Sequence, residues 1–234
     1  MEECIARLNL NDKQLILIGT IHMSKRSVEQ VKAIIETECP DTVCVELDHL
    51  RYLALIEMDC KESAFFADDD FDLQADIACK SSFLLLNTLI AIMQKRIARN
   101  LNLLPGQELI QAINSARASG ARLVLADCNI QTTFRQIWAS LSSMEKSKLL
   151  AQTLNLLLAK TTLSETEIET MKSPDNLMMF LNKFTEEFPE LKRMLIDERD
   201  YVLAQNIKTA PGKKVVGVVG AAHLPGIVKC LLED

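Results

Sequence analysis

Glycine and proline are scarce in this chain, 7 and 6 of 234 residues, and no repeat or low-complexity tract breaks it up. The long Leu-, Ala-, Glu- and Lys-rich runs that remain lean toward helix. Basic blocks are missing as well: 26 Lys and Arg stand against 32 Asp and Glu, so 26 − 32 gives a formal net charge of −6. Without a cationic footprint, nucleic acid is not an expected partner. The seven cysteines (4, 39, 44, 60, 79, 128 and 230) are odd in number and show no CxxC spacing. That argues against a disulfide framework and a zinc ribbon, and points to a reducing cytoplasm. No apolar run reaches the ~20 residues of a bilayer-spanning helix. The most apolar stretch, "FLLLNTLIAIM" at 83–93, reads as a buried core helix, with a partner-docking or membrane-touching helix as the alternative. The opening "MEECIARLNLNDK" carries acids where a secretory leader carries bases. Absent too are GxGxxG, the P-loop, GxSxG and any Cys/His nucleophile motif, so dinucleotide, P-loop and α/β-hydrolase readings fall.

What is present is an ordinary globular balance, 48% hydrophobic and 25% charged. "CIARLNLNDKQLILIG" reads as two short strands around an Asn11-Asp12 turn. A helix begins near Ser24 or Ser27, carries Val28, Val31, Ile34 and Ile35 on one face, and ends before Pro40. "DTVCVELD" is a second strand, completing a strand–helix–strand unit. A helical region follows to about Asn102, interrupted at 66–72 by "FADDDFD", an acidic turn without the glycine and terminal glutamate of a calcium loop. After Pro105-Gly106, Leu109, Ala112, Ile113 and Ala116 mark a helix stopped by Gly120, and "RLVLADC" is the next strand. Residues 130–210 are helical in nearly every window, with breaks at Ser164, 173–175 and Pro189, and "KKVVGVVG" is the last strand.

The expected fold is therefore α/β in one domain over 1–234. A central, mainly parallel sheet has an N-terminal hairpin, flanking helices and a largely helical insertion, about 130–210, before the last strand. Strands are expected near 15–18, 42–47, 122–126 and 214–219.

Ligands of such sheets bind at the carboxyl ends of the strands. His22, Glu46, Asp127 and His223 all fall at or just beyond such ends. Two imidazoles and a carboxylate suit a catalytic divalent metal with positions left open, although hydrogen-bonded loop histidines would look the same in sequence. Glu46 ends a strand expected to be buried, so it needs a cation: a metal, or Arg51 five residues on. Arg199 takes a position on its helix that Leu191, Leu195, Val202 and Asn206 would give to an apolar side chain. An inward charge implies an anionic partner, either a protein carboxylate or a substrate group. Arg135 lies close to an apolar stripe in the same way. His49, after Asp48 at a helix start, reads as a surface polar residue, and Glu108 as a first-turn acid favoured by the helix dipole.

Taken in order, "GTIHMSKRSVEQV", "PDTVCVELDHLRY", "QKRIARNLNLLPGQELIQAINSAR", "LADCNIQTTFRQIW", "LIDERDYVLAQNI" and "VVGVVGAAHLPGI" resemble the TraB/PrgY (pheromone shutdown) family. That family is similar to the TIKI and GumN proteins, ChaN-like proteins and erythromycin esterases. TIKI proteins are metal-dependent proteases with essential histidines in two GxxH motifs, which match Gly19 to His22 and Gly220 to His223. The resemblance implies His22, Glu46 and His223 as metal ligands, while Arg51, Glu108, Arg135, Arg199 and Asp200 match other motif positions. In one departure, Asp127-Cys128 stands where relatives commonly have Asp-Arg. Longer members also continue into a membrane-spanning part, whereas this sequence stops at Asp234, so no integral membrane segment is expected.

The expectation is a cytoplasmic, divalent-metal-dependent hydrolase, peptidase-like, using manganese, with cobalt or zinc as alternatives. Its substrate would be a peptide or small molecule, and self-association into a homo-oligomer is left open. Glu46 would be third ligand or general base, and Arg199 and Arg135 would hold an anionic substrate group. The rivals are a protein that sequesters a peptide or signal molecule without turnover, and, by analogy with ChaN, a haem binder with His22 or His223 as axial ligand.

Overall fold

The computed structural model describes residues 5–10, 12–20, 25–59, 106–158 and 192–233. Strand β1 (Ile5–Leu10) pairs antiparallel with β2 (Lys13–Thr20), with Ile5 opposite Ile18 and Leu10 opposite Lys13, as the hairpin reading requires. Helix α1 (Lys25–Glu38) leads to β3 (Thr42–Val45), followed by α2 (His49–Asp59), α3 (Gln107–Ser119) and β4 (Arg122–Leu125). Then come α4 (Ile130–Ser140), α5 (Ser143–Leu158), a π-helical turn (Arg193–Asp197), α6 (Glu198–Thr209), β5 (Lys214–Gly220) and α7 (Leu224–Glu233). The strand order is β1-β2-β5-β3-β4, and every pairing except β1 with β2 is parallel.

Both faces of the sheet are covered, which is why Leu15, Ile16, Leu17 and Ile18 form an unbroken apolar run and all four are fully buried. Alternation sends Ile16, Ile18, Val43, Val45, Val216 and Val218 to one face, where Val31 and Ile35 of α1, Leu55 of α2 and Ile113 of α3 close over them. Leu15, Leu17, Cys44, Val215 and Val219 face the other way, against Leu203 and Ile207 of α6 and Ile227 and Leu231 of α7. Helix α6 lies close on the sheet because Gly217 has no side chain. A Cβ there would stand 2.9 Å from Leu17 Cδ2 and 3.2 Å from Ile207 Cδ1. A smaller cluster of Ile137, Leu141 and Leu149, with Trp138, Met194 and Leu195 against it, ties α4 and α5 to the π-turn.

Local signals account for the helix ends. Gly120 closes α3 in the left-handed conformation (φ 73°), its N–H donating to the carbonyls of Ala116 and Arg117. Asn129 caps α4 by accepting from the N–H groups of Gln131 and Thr132. Ser142 and Glu145 form a reciprocal capping box at the start of α5. The acidic turn at 66–72, the apolar stretch at 83–93, the remaining helical windows up to Asn102, and the breaks at Ser164, 173–175 and Pro189 lie outside the described residues. Among the described residues, no helix is long and apolar enough to cross a membrane.

Candidate active site

The carboxyl ends of β2, β5, β3 and β4 share one edge of the sheet, and β5 lies between β2 and β3. The turn after β5 is thereby placed beside Glu46, the residue that follows β3. The ladder continues one step past β3, Glu46 N–H donating to Val218 O at 3.1 Å, and the Glu46 side chain then turns back so that Oε2 accepts from Gly220 N–H at 2.6 Å. Arg199 and Asp200 come from the first turn of α6, and both are buried. In the π-turn that precedes them, the Leu195 carbonyl accepts from Arg199 Nη1 at 3.2 Å.

Arg199 joins two strands. Its Nη2 donates to Glu46 Oε1 at 2.6 Å and to Asp127 Oδ2 at 2.5 Å, and its Nε donates to Asp127 Oδ1 at 3.2 Å. Of the two partners expected for this inward charge, protein carboxylates are the ones present. Arg51 was expected as the protein alternative for Glu46, but it pairs elsewhere, with Asp127 Oδ2 at 2.5 Å and Asp48 Oδ2 at 2.9 Å. The reason is that α2 starts at His49, so Arg51 folds back onto the helix-capping Asp48, whose other oxygen accepts from Arg51 N–H. Asp48 also accepts from Ile130 N–H, which fixes the start of α4 against the start of α2.

These partners set the ionisation of the group. Burial pushes the Glu46 carboxyl up, but His223, Arg199 and the Gly220 N–H together hold it below its ordinary value. Asp127 is likewise lowered: burial raises it, and hydrogen bonds and charge from Arg199 and Arg51 outweigh that. Asp48 is lowered against its own burial by N–H groups of Arg51 and Ile130 and by the Arg51 guanidinium. Asp200 differs, because burial raises its carboxyl further than the His223 hydrogen bond lowers it.

His223 is buried between two carboxylates. Its Nδ1 lies 2.6 Å from Asp200 Oδ1, and its Nε2 lies 3.4 Å from Glu46 Oε1. With Nδ1–H donating to Asp200, a neutral ring would present the Nε2 lone pair to a carboxylate oxygen, which is repulsive unless a cation sits between them, whereas an imidazolium would donate Nε2–H to Glu46. A charge-assisted N–H···O bond is about 2.7–2.9 Å long, so 3.4 Å is wide for a proton alone. It is a separation that two ligands of one first-row ion, each at about 2.0–2.2 Å, can span. Charge counting points the same way. Among the described residues, Glu46, Asp48, Asp127 and Asp200 supply four negative charges and Arg51 and Arg199 two positive ones, 2 − 4 = −2 before any charge on His223. Two candidate donors, His223 Nε2 and Glu46 Oε1, thus face a common gap. Among the described residues no group of three or more ligating side chains is arranged around one point. His22, the expected third ligand, lies outside the described residues.

The remaining candidates are dispersed. Glu108 is buried in the first turn of α3. Arg135 is exposed on α4 and makes no ion pair with the described residues, and His49 is exposed at the start of α2. The sequence reading missed Asp48, although its signal was there: an aspartate before a helix, three residues ahead of an arginine.

An uncharacterized protein of Methanocaldococcus jannaschii is 30% identical over 227 residues, covering 95% of this chain and 54% of the relative. TraB domain-containing proteins of Bos taurus and Homo sapiens are each 28% identical, over 246 and 239 residues, covering 94% and 92% of this chain. The chain spans 63% and 62% of those two relatives. The pattern of the TraB/PrgY/gumN family matches residues 5–233, and the chain belongs to that family.

Proposed function

We propose that the chain is a divalent-metal-dependent hydrolase of peptide bonds, with His22, Glu46 and His223 as the ligands of a first-row ion, manganese first among them. The observation that carries this reading is the buried His223 with Asp200 on one nitrogen and Glu46 Oε1 3.4 Å from the other, in a cluster with surplus negative charge. A bound divalent ion supplies Lewis-acid polarisation of a carbonyl and acidifies water. The chain's own residues do the rest. Arg199, spread across Glu46 and Asp127, holds the Glu46 carboxylate toward His223. Since Arg199 is engaged by protein carboxylates, the exposed Arg135 is the freer of the two for an anionic substrate group. A haem axial role for His223 would need Nε2, which already faces Glu46 at 3.4 Å; the same role for His22 lies outside the described residues. Among the described residues, Cys39, Cys44 and Cys128 are free thiols, in keeping with a reducing compartment.

The test combines metal content with mass-spectrometric detection of peptide cleavage, in the wild type, His22→Ala and His223→Ala. One bound equivalent and cleavage by the wild type, both lost in the variants, is the expected result. Stoichiometric peptide binding without product would favour a sequestering protein. Full retention of metal and cleavage in both variants would refute the assignment.

A further inference from the structure

We infer that Asp200 is the positioning residue of His223 and that Gly226 is its seat, so that a glycine in α7 helps to set the ligand geometry. The inference rests on the metal-centre reading for its ligand, and on contacts independent of that reading for its geometry. Asp200 lies on α6 and His223 on the turn before α7, and their side chains meet at 2.6 Å with both residues buried. One carboxylate oxygen is spent on Nδ1. The other occupies the space over Gly226: a Cβ there would stand 1.8 Å from Asp200 Oδ2, 2.6 Å from Cγ and 3.1 Å from Cβ. Those are its three nearest neighbours, so the room that any larger residue would take is the room held by this one carboxylate.

Aspartate is short, and with Oδ1 fixed on His223 it cannot give way at Oδ2 without turning the whole carboxylate. A methyl at 226 must therefore break the bond to Nδ1. That bond selects the imidazole tautomer and ring orientation that leave Nε2 facing Glu46. Gly226 thus acts on the ligand through Asp200. The carboxylate–histidine pair is an orienting device of the kind whose removal typically weakens metal affinity 10- to 100-fold.

The test is a double-mutant cycle on the full chain, Gly226→Ala, Asp200→Ala and both together, read by titration with Mn²⁺ and by ¹H–¹⁵N correlation of the imidazoles at one fixed pH. With only three histidines in the chain, His22→Gln and His49→Gln suffice to assign His223. Each single variant is expected to bind Mn²⁺ about 10- to 100-fold more weakly and to lose the Nδ1–H signature of His223. The double variant should bind no worse than Asp200→Ala and melt higher than Gly226→Ala, because the clashing carboxylate is gone. Asp200→Asn, which keeps an acceptor oxygen, should retain the Nδ1–H signature. Additive losses in the cycle, or an unchanged imidazole spectrum in Gly226→Ala, would overturn the inference. Should the wild type bind no Mn²⁺, the metal-centre reading fails, and the imidazole spectra and melting temperatures still decide the Asp200–Gly226 relation.

Discussion

Replacing Arg199 with methionine keeps much of the side-chain volume and removes the charge that two buried carboxylates share. The Arg199 side chain is 10% exposed, that of Glu46 9% and that of Asp127 0%. Breaking a buried pair from one side costs about 3–5 kcal/mol, because the partner is left charged and dry. Against a domain stability of about 5–15 kcal/mol, that is a large fraction, and urea denaturation with a chelator present measures it without contribution from bound ions. The pH dependence has a definite sign. Asp127 is held below its ordinary value of 3.8 in the native protein, so its contribution is fully present above that pH and is lost on acidification through the lower folded value. Without Arg199, burial is far less opposed and the carboxyls rise. The variant then carries a penalty at neutral pH that protonation relieves as pH falls. The gap between wild type and variant should therefore be widest near pH 7 and shrink toward pH 5. A loss under about 1 kcal/mol, the scale of a surface pair, or a gap unchanged between those pH values, would refute the argument.

Gly217→Ala should lower stability by about 1–3 kcal/mol through overpacking, because the new methyl meets Leu17 and Ile207 at 2.9 and 3.2 Å. A thermal melt unchanged from wild type would show that α6 is not seated tightly on β5. Burial pushes the Cys44 thiol up to about 12, so in native protein at pH 8 iodoacetamide should label the exposed Cys39 and spare Cys44. Equal labelling of the two by mass spectrometry would contradict the buried placement of β3.

Much of the fold was written locally. "LILI" and "VVGVV" are apolar without alternation because both faces of β2 and β5 are covered, and the α3 boundaries followed from Gly106 and Gly120. The strand order was not legible. Nothing in the residues of β5 says that it enters between β2 and β3, yet that insertion is what sets His223 and Gly220 beside Glu46. The same limit explains the partner assigned to Glu46. Arg51 is near in sequence, while Arg199, 153 positions away, is near in space. Arg199 itself was legible as a charge where an apolar residue belonged. Asp200 stood out only as a match to a family motif position, since its contacts with His223 and with the space over Gly226 depend on how two helices pack.

Anomalous X-ray diffraction at the manganese edge, from crystals grown with Mn²⁺, tests the central claim most directly. The account predicts one strong peak bounded by His223 Nε2, Glu46 Oε1 and the His22 imidazole, which disappears in His223→Ala. Crystals showing manganese only at surface carboxylates, with His223 still 3.4 Å from Glu46 and nothing between them, would contradict it.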